Sequence, residues 1–379
     1  MDRGGEFLGI EGGGTRTVVA LGNKEGKIVS QWHFGPGNVR LLKDKELERL
    51  FGEISAVVPQ PDGIGIGMAG IRGELDRARV ERAARQVWPG IPLSITHDLE
   101  ISLEAAEEIS GVAANVLILS GTGSCCYGRN KDGKVAKLGG GGHVLGDLGS
   151  GYDIASKGLR TAVYQHDRFG QWGELGRGIL RILALNEPDD LIGWAQAADK
   201  RSIAQTAPVV FAAAAKGDPV ARKILDQAAA QLAEDGLLCA HRLAKKTESI
   251  SFILAGGVLL HQPKFAKNIE KRLRGAWKRA SVRMLSGGGV LGAVRLAVRI
   301  AQNGNLKKSG SIGVAKGLYL PTVTGVSPTE QRNPSSINLD KLSVRGAVAL
   351  MLDAEAEVIP ALRAERARIE AAVRLAAAA

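Results

Sequence analysis

The chain has 379 residues and a formal net charge of +11, with 45% hydrophobic and 23% charged residues. This length predicts two or three domains, and the composition is that of a globular protein able to bury a core. No apolar run approaches the ~18 residues of a membrane span. Three cysteines, none in a Cys-x-x-Cys pair, do not frame a disulfide scaffold. With no signal peptide before the first strand-like segment, we expect a cytoplasmic protein without a membrane partner.

The excess of positive charge has two interpretations. Anionic partners such as nucleic acid are compatible with it. However, the basic residues stand in small helical groups such as Lys271–Arg274, and aromatic residues do not alternate with them as a surface for single strands requires. We therefore expect a solvated basic face and no nucleic-acid partner.

The first part of the chain reads as two antiparallel hairpins followed by alternating helices and strands. The predicted elements are strands at Phe7–Ile10, Thr17–Leu21 and Lys27–Phe34, a helix at Asp44–Val57, a strand at Gly63–Met68, a helix at Glu74–Val87, a strand at Pro92–His97 and a helix at Asp98–Ile109. Asp98 is a plausible N-cap of the last helix.

The same order of elements then begins again. Its members are strands at Asn115–Leu119, Ser124–Tyr127 and Val135–Leu138, helices from Tyr152 to Ala244, a strand at Ser251–Ala255, a helix at Pro263–Trp277, a strand at Val282–Leu285 and a helix at Val290–Ala301. This duplication predicts an α/β protein with domains at 1–112 and 113–302, the second carrying a helical insertion. The two domains would face each other across a ligand-binding cleft. A linker at 303–338 and a helical extension at 339–379 would follow.

Two glycine-rich turns occupy equivalent positions in the two units, at Glu11–Thr17 and Ser120–Ser124. Glycines let backbone N–H groups approach an anion, and the hydroxyls between them can reach phosphate oxygens. Neither is a Walker loop, because lysine is missing and a strand follows. Each turn alone could be a tight hairpin without a ligand, but the pair predicts a polyphosphate held between them. Ala255–Gly257 could lie flat against a nucleobase or be an ordinary strand-to-helix turn.

Polar side chains near these turns could carry chemistry. Asp98 follows a strand, where a carboxylate can accept a proton from an attacking hydroxyl; a helix cap explains it equally well. Gly139–Gly151 could wrap around a polyol, with Asp147 as a hydroxyl acceptor, while His143 is more easily explained as structural. Cys125 and Cys126 fit packing better than redox chemistry, and no cluster has the spacing of zinc ligands.

Glu11–Thr17, Ser120–Ser124 and the Gly-His-x-x-Gly-Asp-x-Gly-Ser motif at Gly142–Ser150 occur together. In this combination, residues 7 to about 302 resemble the N-acetylglucosamine kinase group of the BadF/BadG/BcrA/BcrD ATPase family, within the actin, hexokinase and Hsp70 superfamily. The resemblance implies two ribonuclease-H-like (actin-like ATPase) domains around a cleft. It also implies Mg²⁺ and ATP as cofactors, and phosphorylation of an amino sugar at O6.

The resemblance also implies roles for individual residues. Those matching the family's ATP- and phosphate-binding positions are Gly13, Gly14, Thr15, Gly121, Thr122, Gly123, Gly256 and Gly257. Asp98 matches the catalytic base, and Asn38, Asp98 and Asp147 match sugar-binding positions. Glu11 stands where many superfamily members have an aspartate near Mg²⁺, so it would hold the metal directly or through water. Gly141 replaces an aromatic residue of some relatives, which could widen the sugar pocket.

The carboxyl-terminal part resembles a second family. Ser327–Ser336, Leu339–Ser343 and Met351–Glu355 resemble the leading segment of N-acetylmuramic acid 6-phosphate etherase, whose main domain is not in the chain. This implies a kinase fused to an etherase, acting on N-acetylmuramic acid or N-acetylglucosamine in peptidoglycan recycling. A homodimer is compatible with the sequence.

Two other functions stay open at this stage. One is an ATPase coupled to electron transfer, for which Cys125, Cys126 and Cys239 lack the expected iron–sulfur spacing. The other is a sugar-sensing protein without turnover.

Overall fold

The computed structural model describes residues 5–106 and 109–303, and nine single positions between 343 and 370. The chain forms two compact units, Met1–Gly317 and Leu318–Ala379. In the second unit, the described positions between 348 and 370 are helical. The predicted linker and the etherase-like segment from Ser327 to Leu342 lie outside the described residues.

The first sheet is mixed and has the strand order β3-β2-β1-β4-β5. Its strands and the helices that follow them are β1 (Phe7–Gly12), β2 (Thr17–Gly22), β3 (Ile28–Phe34), α1 (Asp44–Ser55), β4 (Gly63–Met68), α2 (Glu74–Val87), β5 (Leu93–His97) and α3 (Asp98–Ala105). Strand β4, which pairs in parallel with β1, is buried along its whole length, as is typical of parallel strands covered on both faces. Helix α1 buries Leu47, Leu50, Phe51 and Ile54, an apolar stripe at helical spacing that packs into this core.

The second sheet has the order β10-β9-β6-β7-β8, the same arrangement with its strands in the equivalent order. Its elements are β6 (Ala114–Ser120), β7 (Ser124–Asn130), β8 (Val135–Gly139), α4 (Gly151–Phe169), α5 (Glu174–Leu183), α6 (Asp190–Ala197), α7 (Lys200–Ala204), α8 (Ala207–Ala215), α9 (Pro219–His241), β9 (Ile250–Ala255), α10 (Gly257–His261), α11 (Pro263–Ala276), β10 (Ala280–Met284) and α12 (Gly289–Asn303). The duplicated order predicted from the sequence is therefore confirmed for the described residues.

Two helices contact the sheet of the other half. Helix α3 follows the first sheet and lies between both sheets. Ile101 lies against Gly67 of β4, where a Cβ atom would come within 2.5 Å of its side chain. Leu99 and Leu103 pack with Leu117, Tyr127 and Ile253 of the second sheet. Helix α12 follows the second sheet, yet it packs across β1 and β4 of the first. The predicted domain bounds group α3 with residues 1–112 and α12 with residues 113–302, so the packing of both helices crosses that division.

Glycines let these helices approach the first sheet closely. Gly9 and Gly65 are paired in register on neighbouring strands. A Cβ atom on Gly9 would lie 2.7 Å from the backbone oxygen of Val290, and a Cβ on Gly65 would overlap the backbone oxygen of Ala293. The helix backbone therefore rests directly on the strands, which a side chain at these positions would prevent.

Helices α3 and α12 also contact each other. A Cβ atom on Gly292 of α12 would overlap the backbone oxygen of Ile101 in α3. Beside this contact, Arg295 Nη1 donates to the carbonyl oxygens of Glu104 at 3.1 Å, Ala105 at 3.0 Å and Ala106 at 3.2 Å. These carbonyls lie at the carboxyl end of α3, so the guanidinium caps the helix and stabilises its negative end.

Within the described residues, no helix is both long and apolar enough to cross a membrane.

The contact at Gly292 yields a stability prediction. Gly292→Ala should lower the free energy of unfolding by about 1–3 kcal/mol, because α3 and α12 must separate to admit a methyl group. The matched control is Gly52→Ala in α1, where no atom lies within 4 Å of the new Cβ. That substitution should stabilise the protein by about 0.5–1 kcal/mol through helix propensity. Urea unfolding followed by circular dichroism measures both, and equal stabilities would contradict the close helix contact.

Candidate functional site

The carboxyl ends of β1 and β4 and the segment after β3 are joined into one surface. Gly37 N donates to Gly13 O at 2.8 Å, Ala69 N to Gly12 O at 2.7 Å, and Val39 N to Ala69 O at 3.0 Å. These backbone bonds bring the first glycine turn and the segment containing Asn38 next to each other. Gly13 and Asn38, which are 25 positions apart in the sequence, therefore lie at one edge of the first sheet.

The side chain of Asn38 is held in one orientation. Its Oδ1 accepts a hydrogen bond from Arg40 N at 3.0 Å, which closes a turn typical of asparagine. Gly70 has a φ of +90°, and a Cβ atom there would overlap this oxygen, so the fold requires glycine beside Asn38. With its oxygen engaged in the turn, the amide group of Asn38 is oriented as a donor.

Glu11 lies at the end of β1 and is tied to the start of α12. Its Oε2 accepts a hydrogen bond from Val290 N at 2.8 Å. Burial raises the pKa of the Glu11 carboxyl; the Val290 bond opposes this rise, and the nearby charge of Asp98 adds to it. A Cβ atom on Gly289 would lie 2.9 Å from Glu11 Oε1 and 3.0 Å from Ser102 Oγ, so this carboxylate lies close to α3, the helix that Asp98 begins.

His97, and not Asp98, caps α3. Its Nδ1 accepts a hydrogen bond from Glu100 N at 3.1 Å, and its ring meets the Tyr127 ring edge-on with centroids 4.9 Å apart. Burial lowers the pKa of His97 to about 4, so the ring is neutral at pH 7 and Nδ1 can accept. The expectation that Asp98 is the N-cap is therefore wrong, because β5 runs to His97 and the helix begins at Asp98.

Asp98 is consequently free of the capping role. Burial raises the pKa of its carboxyl, while the neighbouring His97, the backbone N–H of Leu99 and the amine of Lys137 oppose the rise. Lys137 belongs to β8 of the second sheet. Since Asp98 opens a helix that packs on that sheet, it stands between the residues contributed by the two halves.

The second glycine turn lies against the start of α4. Gly121 N donates to Gly123 O at 2.9 Å, and Gly151 N donates to Gly121 O at 2.8 Å. A Cβ atom on Gly121 would lie 3.8 Å from Gly257 N, so the turn also approaches the glycine pair after β9. Ser150 caps α4 by accepting from Asp153 N at 3.1 Å. The positive end of a 19-residue helix therefore lies beside this turn.

Glycine is required by the fold at some predicted phosphate positions and not at others. A Cβ on Gly123 would lie 2.9 Å from Asp147 Oδ1, and Gly256 has a φ of +95° with no room beside Ser120. In contrast, a Cβ on Gly14 would meet no atom within 4 Å, and Gly14 and Gly121 lie outside the left-handed region. Because the fold leaves room for a side chain at these two positions, folding alone does not explain why they are glycine.

Asp147 is buried, and its carboxylate is engaged on both oxygens. Oδ1 accepts from Ser124 N at 3.2 Å, and Oδ2 pairs with Lys200 Nζ at 2.7 Å. Its backbone has a φ of +58°, unusual for a residue other than glycine. The carboxylate thus fastens the glycine-rich loop to β7 and to α7. The sequence predicts Asp147 as a hydroxyl acceptor, and its partner Lys200, 53 residues away, carries no local signal.

The remaining residues singled out in the sequence lie as follows. Cys125 packs in the core beneath α3, whereas Cys126 and Cys239 pack in the core of the helical insertion. Burial raises the pKa of Cys125 to about 12, and all three thiols are buried, which confirms the packing interpretation. His143 is exposed and meets the ring of Tyr152 at 5.0 Å. Nowhere in residues 5–106 or 109–303 do three metal-ligating side chains cluster.

Proteins similar in sequence to this chain include the following two kinases. The chain is 32% identical over 262 residues to an N-acetylmuramic acid/N-acetylglucosamine kinase of Clostridium acetobutylicum, covering 66% of this chain and 85% of that protein. It is 29% identical over 242 residues to an N-acetyl-D-glucosamine kinase of Dictyostelium discoideum, covering 59% of this chain and 75% of that protein.

Comparison with solved structures supports the same fold. A Chromobacterium violaceum protein assigned as an N-acetylglucosamine kinase superposes with a TM-score of 0.59 at 23% identity, covering 79% of this chain and 99% of that chain. At sequence level, residues 8–297 match the profile of the BadF/BadG/BcrA/BcrD ATPase family. This match spans most of the chain and both sheets, and the chain therefore belongs to the BadF/BadG/BcrA/BcrD ATPase family.

Proposed function

We propose that this protein is an ATP-dependent kinase that phosphorylates the 6-hydroxyl of N-acetylmuramic acid and N-acetylglucosamine. The observation that carries the proposal is Asp98, a buried carboxylate released from helix capping whose charge interacts with Glu11 at the end of β1 and with Lys137 of the second sheet. The names of the two kinases similar in sequence support an amino sugar as the acceptor. Membership in an ATPase family supports ATP as the donor.

The two glycine turns are suited to the phosphates of ATP. The open space at Gly14 and Gly121 allows phosphate oxygens to approach the backbone N–H groups, and the start of α4 favours negative charge there. The side chains of Thr15 and Thr122 are exposed and can add hydroxyl donors. Gly256 and Gly257 follow β9 beside Gly121, where a flat backbone surface suits the nucleoside.

Glu11 is the carboxylate suited to Mg²⁺. Magnesium in kinases is usually held by one or two carboxylates together with substrate phosphates and several waters. One oxygen of Glu11 is engaged by Val290 N–H, which leaves the other available to a ligand. This arrangement fits contact through water better than a cage of protein ligands. When bound, the ion supplies positive charge that offsets the charge of the phosphates.

The proposed reaction is an in-line transfer. The sugar O6 forms a bond to the γ-phosphorus while the bond from that phosphorus to the bridging oxygen of ADP breaks, and the proton of the 6-hydroxyl passes to the Asp98 carboxylate. Burial raises the pKa of this carboxyl and so makes it a stronger base than an exposed aspartate. Asn38 is oriented to donate to the sugar.

Further parts of the proposal concern the setting of the reaction. Asp147 as a sugar contact would require its carboxylate to bind a hydroxyl in addition to Ser124 and Lys200. We also propose a cytoplasmic location, where ATP is available, and a role in recycling cell-wall sugars together with an etherase domain. A homodimer stays a prediction. Because all three cysteines are buried, no observation on the described residues favours the electron-transfer alternative.

Asp98→Asn tests the proposed base. The variant should lower kcat for either sugar by roughly 10²–10⁴, since the amide cannot take the proton. Its free energy of unfolding should stay unchanged or rise, because a neutral side chain is less costly to bury than a charged one. His97→Ala is the matched control and should lower stability by about 1 kcal/mol through loss of the cap. Turnover near that of the wild type would remove Asp98 from the mechanism.

The raised pKa of Asp98 predicts the acid limb of the pH profile. The ionised carboxylate is the active form, so kcat/KM for the sugar should fall as the pH drops through the pKa of Asp98. That inflection should lie above ~4, the ordinary value for aspartate. Glu11→Gln, which removes another carboxyl whose pKa is raised by burial, should retain the inflection. A profile flat to pH 4 in folded enzyme would show that Asp98 does not need to be ionised.

Gly121→Val tests the second phosphate turn. Space for the new Cβ exists in the fold, so the variant should fold with nearly unchanged stability. Its side chain would occupy the volume assigned to phosphate, and affinity for a non-hydrolysable ATP analogue with Mg²⁺ should fall at least tenfold by calorimetry. Gly133→Val would be strained at the φ of +81° at that position. The better control for binding is Gly52→Ala, at a half-buried helical position outside the proposed site. Unchanged nucleotide affinity would place the phosphates elsewhere.

A further inference from the structure

Lys137 is an exposed cation on the inner face of the edge strand β8. In the antiparallel pairing of β7 with β8, Lys137 lies directly opposite Tyr127. Residues directly opposite each other project from the same face of a sheet. Tyr127 uses that face to meet the ring of His97, with centroids 4.9 Å apart, and to bond the carboxylate of Glu100. The Lys137 side chain therefore projects toward the start of α3, where Asp98 lies.

The position of the amine agrees with this register. A Cβ atom on Gly140 would lie 3.4 Å from Lys137 Nζ and 3.2 Å from Cys125 Sγ. The amine thus lies over the beginning of the glycine-rich loop that borders the proposed sugar site. Its positive charge contributes to the lowered pKa of His97 and opposes the burial-driven rise in the pKa of Asp98.

Throughout the described ranges, no aspartate or glutamate oxygen lies within 4 Å of Lys137 Nζ. In contrast, the other lysine of the site, Lys200, is paired with Asp147. Asp98 is near enough to interact but makes no ion pair with it. A solvent-accessible, unpaired cation at the rim of a ligand site is available to an anionic group of the ligand.

The proposed substrates differ in one such group. N-acetylmuramic acid carries a lactyl ether on C3 of the sugar, and N-acetylglucosamine carries a hydroxyl there. The lactyl carboxylate extends several ångströms from the 6-hydroxyl that would meet Asp98. The glycine-rich loop leaves space on this side, since a Cβ on Gly141 would make only ordinary contacts of 3.8 Å or more.

Building on the proposed function, we infer that Lys137 determines specificity for the acidic sugar by pairing with its lactyl carboxylate. Under this assignment, the base and the phosphate turns serve both sugars alike, whereas the Lys137 amine distinguishes them. A contact with the γ-phosphate is the other role open to this amine, and it would affect both sugars equally.

The test is the ratio of kcat/KM for N-acetylmuramic acid to kcat/KM for N-acetylglucosamine. Lys137→Met removes the charge and keeps the length of the side chain, and it should lower this ratio by about tenfold or more. Loss of charge near Asp98 affects both sugars and cancels in the ratio. Lys137→Arg should retain the ratio within about threefold, and Lys137→Glu should lower it further. Lys134→Met, in the exposed turn before β8, is the matched control and should leave the ratio unchanged.

The outcomes separate this inference from the proposed function. A ratio unchanged in Lys137→Met, with the KM for ATP raised, would assign the amine to phosphate and overturn the inference while the kinase activity stands. A wild-type enzyme that phosphorylates N-acetylglucosamine alone would also overturn it. Turnover of neither sugar by the folded wild-type protein would overturn the proposed function itself.

Discussion

Two helices that contact both halves fix the position of Asp98. Helix α3 starts at the edge of the first sheet and packs between the two sheets, while α12 follows the second sheet and packs across the first. Where the two helices cross, Gly292 lets their backbones touch. Asp98 is the first residue of α3, so its position is determined by both halves. Under the proposed function, a carboxylate placed in this way can meet a sugar bound by one half and a nucleotide bound largely by the other.

Charged groups hold α3 at this crossing. Although burial by itself raises the pKa of Glu104, its bonds with Arg299 and Arg129 lower that pKa overall. Arg129 also pairs with Glu100, one turn earlier on the helix. Because removing one partner leaves a buried charge uncompensated, such a cluster favours one geometry strongly even when its net stabilisation is small. Arg129 belongs to β7 and Arg299 to α12, so these arginines connect α3 to the second sheet and to α12.

The sequence predicts the elements of the described chain well, because most of them depend on local apolar periodicity. It also places the glycine turns and Asp98 at strand ends, where parallel strands bring their carboxyl ends together. Asn38 is identified only by the family resemblance. What it misses depends on contacts between distant segments. Nothing local distinguishes a helix that packs on its own sheet from one that crosses to the other, so the packing of α3 and α12 is not predictable.

Individual site residues also differ in whether local sequence or contacts with distant segments determine their role. Asp98 has the residue type and position of an N-cap, and only the geometry of His97 shows that the cap is already supplied. Glycine motifs look alike in sequence, yet Gly123 and Gly256 are required by the fold, whereas Gly14 and Gly121 are not. Lys200 and Lys137 were not predictable as site residues, since one reaches the site from the helical insertion and the other from an ordinary edge strand.

The protein should transfer the γ-phosphoryl group of ATP to the 6-hydroxyl of an amino sugar. Nuclear magnetic resonance of the product formed from N-acetylglucosamine, Mg²⁺ and ATP measures which oxygen carries the phosphate. We expect one new phosphate ester whose phosphorus couples to the two hydrogens on C6, formed in equal amount to ADP. Phosphate on the anomeric oxygen, or ADP formed without any sugar phosphate, would contradict it.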